Sequence, residues 1–126
     1  MIRKDYIQRY FDELAKVLAA VLQLKNDFKS TEAEVKLNDF STDYLGIPLA
    51  ELLSLNLTEV VDYLIKEKKF TLTHFKLLED ILYQQYLLKP TDSHLKQITL
   101  TTLRYTSVND TDYSIERATR IKELSA

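Results

Sequence analysis

Residues 7–24 read IQRYFDELAKVLAAVLQL. Ile7, Tyr10, Leu14, Val17, Val21 and Leu24 alternate spacings of three and four, and Phe11, Leu18 and Leu22 form a second row beside them. That period puts both rows on one side of an α-helix. At 100° per residue they span an arc of about 160°, wider than a single neighbouring helix covers. The stretch predicts a helix from Ile2 to about Lys25 that packs against two partners. Arg9, Asp12, Glu13 and Lys16 occupy the opposite face, and Asp12 with Lys16 has the i,i+4 order that favours an ion pair.

Outward from this helix, the chain offers almost nothing with which to build a sheet. Its 126 residues include one glycine, Gly46, and two prolines, Pro48 and Pro90. Tight turns and hairpins depend on these residues, so their scarcity favours helices joined by short polar links. After the break at Asn26-Asp27, Thr31 with Glu34 three residues later reads as a capping box. The second helix is expected to end at Tyr44 or Leu45, with Gly46 taking the left-handed conformation. Pro48 then opens a short apolar helix, Leu49 to Leu53. Asn56 with Glu59 repeats the capping pattern and predicts a helix through about Lys68, with Leu57, Val60, Val61, Leu64 and Ile65 inward. Thr71 caps a further helix with Phe75, Leu78, Ile81, Leu82 and Leu88 on its inner face, stopped by Pro90. Thr91 or Asp92 starts another, and Asp112 or Ser114 the last, in which Glu116 and Arg120 are spaced for an ion pair. Ile98-Thr99-Leu100-Thr101 is β-branched and alternates apolar with polar, as a half-buried strand would. No other segment reads as its partner, so residues 95–108 are read as helix. The expectation is one all-α domain over residues 1–126, with six or seven helices in antiparallel hairpins.

Composition restricts function. The chain is 45% hydrophobic and 29% charged, the balance of an ordinary globular domain. The absence of cysteine excludes disulfides, thiolate-bound zinc, iron–sulfur clusters and thiol nucleophiles. The longest apolar run, Val17 to Leu22, is far short of the roughly 20 residues that cross a bilayer. Asp5, Asp12 and Glu13 interrupt what would have to be the apolar centre of a signal peptide, so a cytoplasmic protein is expected, without membrane contact. The tripeptides Asn56-Leu57-Thr58 and Asn109-Asp110-Thr111 match the glycosylation pattern, which has no consequence without secretion.

The motifs of common chemistries are missing. One glycine cannot form a phosphate-cradling loop, which argues against the familiar nucleotide cofactors. His74 and His94 each fall in the first turn or so of a predicted helix, without a second histidine or a carboxylate at the i,i+4 spacing of a helical metal site. No metal ligand is assigned, and both read as surface or boundary residues. Ser93 beside His94 is a sequence neighbour pair rather than a triad. Glu79-Asp80 is an adjacent acidic pair near an aromatic run, and a solvated helix face accounts for it. No catalytic residue, cofactor or enzymatic activity is therefore expected.

Charge is uneven. Residues 26–62 carry two basic and eight acidic side chains, a local net of −6 within a chain whose net is −2. Arg3, Lys4 or the Lys66, Lys68, Lys69 cluster are candidates to neutralise this strip from within; a basic protein segment is the alternative partner. Basic residues elsewhere alternate with acids, which argues against nucleic acid, and Lys66-Glu67-Lys68-Lys69 is the largest patch. Tyr83 and Tyr86, with Tyr63, Tyr105 and Tyr113, read either as the lining of a groove or as core-edge packing with hydroxyls in water.

Lys4-Asp5-Tyr6-Ile7 followed by Arg9, the leucine-rich run to Leu24-Lys25, and Tyr44-Leu45-Gly46-Ile47 followed by Leu52-Leu53-Ser54-Leu55 resemble a small uncharacterised bacterial family of tetratricopeptide-like helical proteins. The likeness covers about the first two-thirds of the chain. It implies a tetratricopeptide-like or irregular helical array, and no catalytic residues. Leu82-Tyr83 with Tyr86, then Tyr113 with Ala118 and Ile121, is a degraded form of that repeat, with Tyr83 where the pattern prefers glycine. No exact repeat of about 34 residues can be laid over the sequence. The expected role is a protein-interaction or scaffold module, with a homodimer through the first helix as one form of it and a small-ligand or nucleic-acid module as the alternative. Phe11, Leu18, Leu22, Tyr83 and Tyr86 are the candidate partner surface.

Overall fold

The computed structural model describes the backbone of residues 2–126 and the side chains of residues 6–126. The proposed role of Arg3 and Lys4 in neutralising the acidic strip lies outside the described side chains. Among the described residues there are seven α-helices and no strand: α1 (Ile2–Asn26), α2 (Ser30–Phe40), α3 (Leu49–Leu53), α4 (Val60–Lys66), α5 (Leu72–Leu88), α6 (Ser93–Asn109) and α7 (Ile115–Ser125), with one π turn, Ser41–Leu45, continuing α2. The all-α class read from the glycine and proline count is the one observed.

Helix α1 packs against both α2 and α5, as its wide apolar arc requires. Leu14 and Val21 are buried, while Tyr10, Phe11, Val17, Leu18 and Leu24 lie half-buried against the same core. The short link at residues 27–29 turns the chain back on itself, and α5–α6 and α6–α7 are paired in the same way through brief connections. The main core gathers Leu37, Phe40, Ile47, Leu52, Leu64, Phe75, Leu78, Ile81, Leu82, Leu95 and Ile98. A second, smaller cluster, Leu100, Leu103 and Leu124 with Tyr83, Tyr86 and Ile121 against it, seats α7.

Residues 95–108 are helical because the threonines solve their own burial. The hydroxyls of Thr99, Thr102 and Thr106 donate to the carbonyls of Leu95, Ile98 and Thr102, one turn back. A buried hydroxyl satisfied by its own helix needs no sheet partner.

Several helix starts differ from the sequence reading. Thr31 and Glu34 form no capping box: α2 begins at Ser30 after Lys29, no side chain caps it, and Glu34 points instead toward α5. Asn56 and Glu59 likewise do not launch a helix at once. Asn56 accepts the amides of Glu59 and Val60 through its backbone carbonyl, and α4 starts only at Val60. Leu57 and Ile65 are consequently exposed rather than inward. Asp12 accepts from Gln8, and Lys16 pairs with Glu13 at 3.2 Å in place of Asp12. Asp92 and Ser114 do cap α6 and α7, accepting from the amides of Leu95 and Arg117.

Three helix ends are left-handed: Phe28 at φ 59°, Gly46 at φ 74° and Lys69 at φ 57°. Around Phe28 the amide of Lys29 reaches Leu24 O and that of Phe28 reaches Lys25 O, the paired bonds of a Schellman ending. Glycine is the usual residue there because a Cβ crowds the backbone. Phe28 holds the position as a residue 94% exposed.

Candidate interaction groove

The acidic helix α2 shows two faces to the rest of the fold. Ala33, Leu37 and Phe40 face the core. Thr31, Glu34, Val35 and Asn38, spaced i, i+3, i+4 and i+7, form a second stripe beside it, on which Thr31 and Val35 are exposed, Val35 at 53%, and Glu34 and Asn38 half-buried. Across from it stand Leu49, Ala50 and Leu53 of α3, with Gln85 and Lys89 at the end of α5 and Asp92 at the cap of α6. Between them lies an open groove of about 500 Å3.

Local structure holds the two walls in place. Gly46 reverses the chain after the π turn, and Ser41 donates its hydroxyl to Ile47 O at 2.6 Å inside the core. No side chain next to α3 caps its start, so the Leu49 amide donates instead to Asn38 Oδ1 at 2.9 Å, which ties α3 to α2. From the floor, Gln85 Nε2 donates to Glu34 Oε1 at 3.1 Å, and Lys89 Nζ lies 3.7 Å from the same oxygen. Gln85 is 5% exposed, and its Oε1 is buried without a hydrogen-bond partner. Such an acceptor costs free energy until a donor reaches it.

Among the described residues, some acids of this region have a cation beside them and others stand open to water. Glu51 is drawn below the usual carboxylate range by the Tyr63 hydroxyl and by Lys68, whose Nζ is 3.1 Å away. Lys68 thus supplies part of the neutralisation anticipated from the Lys66, Lys68, Lys69 cluster. Glu32, Asp39, Asp43, Glu59 and Asp62 remain exposed.

A second concentration of charge fastens α7. Arg117 Nε sits 3.0 Å from both carboxylate oxygens of Glu79, and its Nη1 donates to Asp110 at 3.2 Å. Lys76 joins Asp110 at 3.3 Å. Arg120 pairs with Asp80 at 2.6 Å and with Glu116 at 3.6 Å, and its guanidinium lies 4.2 Å over the Tyr83 ring. Glu79-Asp80 is therefore not a solvated face, as the sequence suggested, but the buried anchor of the last helix. Burial pushes Glu79 up to about 7 against the pull of Arg117, and raises Asp80 against Arg120. Asp110 is held low by the Asp112 amide and by Lys76. Each of these carboxylates is engaged by a cation, and together the pairs tie α7 to α5 and to the α6–α7 link.

A third feature is an apolar cleft of about 660 Å3 between the start of α1 and the start of α5, lined by Tyr6, Ile7, Tyr10, Thr71, Thr73, His74 and Leu77. Burial, with the Tyr6 hydroxyl beside it, pushes Tyr10 up to about 12. His74 Nδ1 accepts the Thr71 amide at 3.0 Å, so its proton is on Nε2, and burial lowers its pKa. His94 is exposed with Nε2 3.0 Å from Leu55 O. Among the described residues no group of three histidine, cysteine or carboxylate side chains is placed to hold a metal ion. No helix among them is long and apolar enough to cross a membrane.

The five residues singled out from the sequence do not share one face. Phe11 and Leu18 are half-buried against the main core, and Leu22 alone of that row stays open, at 59% exposure. Tyr83 donates its hydroxyl to Glu123 at 2.8 Å, and Tyr86 packs between the two clusters. Tyr63 is bound to Glu51, Tyr105 packs at a tilt against Phe75, and Tyr113 is exposed, so these tyrosines line no common groove. The groove was missed because Leu49 and Leu53 look like core in sequence. A helical wheel of α2 with Ala33, Leu37 and Phe40 inward leaves Val35 stranded outside, and that was the available signal.

No family model, no curated protein and no solved structure matches this chain.

Proposed function

We propose that the chain is a protein-interaction or scaffold module without catalytic activity, and that the groove between α2 and α3 is where its partner docks. The observation that carries this reading is the partly open Thr31, Glu34, Val35, Asn38 stripe facing an apolar wall. An apolar floor with polar groups at its edge is the usual composition of a docking site. The pairing of α1 with α2 and α5 with α6 supports a tetratricopeptide-like stacking, in which grooves between hairpins serve as binding surfaces. A cytoplasmic location accords with the cysteine-free composition.

A photo-crosslinking amino acid placed at Val35, and separately at the more exposed Tyr113, tests the assignment in the native cell. A discrete adduct at position 35 and none at 113 is the expected result. Adducts from position 113 alone would move the docking face to the α6–α7 corner and overturn this reading.

A second reading rests on the cleft at Tyr6, Tyr10 and His74, whose volume suits a small apolar ligand. Self-association through α1 draws less support, since Phe11 and Leu18 already pack within the monomer and leave Leu22 to carry it.

A further inference from the structure

We infer that the occupant of the α2–α3 groove is a basic amphipathic helix of a partner protein, which presents aliphatic side chains to Val35, Ala50 and Leu53 and an arginine to Glu34 and Gln85. The inference rests on the groove being the docking site and adds the chemistry of what docks there.

The charge on the groove wall is the first argument. At 100° per residue, taking Thr31 as zero, the open stripe of α2 runs from about 300° at Glu34 to about 40° at Val35. Asp39 and Glu32 fall at about 80° and 100°, on the outer flank of that stripe, whereas the buried face is centred near 200°. Glu34 and Asp92 therefore line the groove itself, and Glu32 and Asp39 stand on the outer flank of its α2 wall. Lys89 reaches Glu34 only at 3.7 Å, with half its side chain in water. An exposed pair of that kind contributes little and is readily exchanged.

Hydrogen bonding gives the second argument. Both intramolecular contacts of Glu34 fall on Oε1, and the buried Gln85 Oε1 has no donor. Asn38 Oδ1 and Asp92 Oδ1 already accept the amides of Leu49 and Leu95. The groove is thus short of donors. A guanidinium carries five N–H groups in a planar fork and can serve a carboxylate and an amide oxygen together. A lysine ammonium, with a single charge centre, matches this pair less well.

Shape gives the third. A volume of about 500 Å3 accommodates the side chains of one or two helical turns, not a folded domain. The opposite wall of Leu49, Ala50 and Leu53 is apolar, so the bound face must alternate aliphatic and basic residues at helical spacing, the helix-in-groove mode. Anionic partners, nucleic acid and acidic membranes included, are repelled by the same carboxylates.

The test uses the full chain and two synthetic helical peptides of leucine, alanine and one basic position type: one with arginines at i,i+4, the other with glutamines in their place. Binding is read by fluorescence anisotropy at low and physiological salt, for the wild type, for Glu34→Lys/Asp39→Lys, and for the charge-matched control Glu59→Lys/Asp62→Lys. Thermal melts verify that all three fold. The arginine peptide is expected to bind the wild type and the control alike, to bind Glu34→Lys/Asp39→Lys at least tenfold more weakly, and to weaken with salt. Equal binding of the glutamine peptide, abolished by Val35→Glu, would overturn the basic-partner assignment while leaving the groove as the docking site. Equal loss in the control would reduce the effect to net charge and overturn it too. Binding of neither peptide overturns the inference, and the crosslink at position 35 then decides separately whether the groove docks anything. Concentration-dependent sedimentation abolished by Glu34→Lys/Asp39→Lys would assign the groove to a second copy of this chain instead.

Discussion

Replacing Arg117 by methionine should cost stability in a pH-dependent way, because its principal partner is a carboxyl that titrates near neutrality. Arg117 contacts both oxygens of Glu79 at 3.0 Å, and the two side chains are 8% and 7% exposed. Glu79 rises from 4.5 in the unfolded chain to about 7 in the folded one. Between those values the folded chain holds a proton that the unfolded chain has released, so the contribution of this group is complete below pH 4.5 and is lost as pH rises through 7. At pH 5.5 Glu79 is already neutral, and Arg117→Met removes hydrogen bonds only. Asp110 keeps Lys76 and the Asp112 amide, so that cost is about 1 kcal/mol. At pH 8.5 the wild-type carboxylate is ionised and paired, and in the variant it must take up a proton about 1.5 units above its wild-type pKa. At 1.36 kcal/mol per unit this adds about 2 kcal/mol, for a total near 3 kcal/mol. Urea unfolding followed by far-ultraviolet circular dichroism at the two pH values measures the difference. Penalties that agree within 0.5 kcal/mol, about the error of such extrapolations, would refute the role given to the buried carboxylate.

Other outcomes follow from the helix ends and from His74. Phe28→Gly should raise stability by roughly 0.5–1 kcal/mol, because the left-handed backbone is relieved and an exposed ring gives up no packing. Gly46→Ala should lower it by about 1 kcal/mol and no more, since an added Cβ meets nothing within 4 Å and only the backbone conformation is strained; denaturant midpoints check both. The imidazole of His74 should titrate below 6.5 by proton NMR, because burial and the acceptor role of Nδ1 oppose its protonation. Its contribution to stability is present above 6.5 and fades as pH falls through the folded value, opposite in direction to that of Glu79.

Helix-forming content was written plainly in this chain, and tertiary polar contacts were not. The three-and-four spacing of residues 7–24 gave α1 to within a residue at its C-terminal end, and Pro48, Thr71, Pro90 and Ser114 marked boundaries that the structure keeps. Such signals are local, acting within one turn of helix. Thr31/Glu34 and Asn56/Glu59 misled because a capping pattern states what a side chain can do, and Glu34 found a partner 51 residues away in Gln85. Glu79 and Arg117 are 38 residues apart, and no periodicity links them, so their burial was legible only once α7 had been laid on α5. The α2–α3 groove escaped for the same reason: it is made by Asn38 reaching across a turn to cap Leu49, and a sequence holds no trace of that bond.

The account turns on where a partner helix settles. Titrating the arginine-bearing peptide into isotopically labelled protein and following amide chemical shifts locates it residue by residue. The largest shifts should fall at residues 31–38, 49–53 and 85–92. Shifts concentrated instead at residues 6–10 and 71–77, or at residues 108–115, would place binding away from the groove and contradict the account.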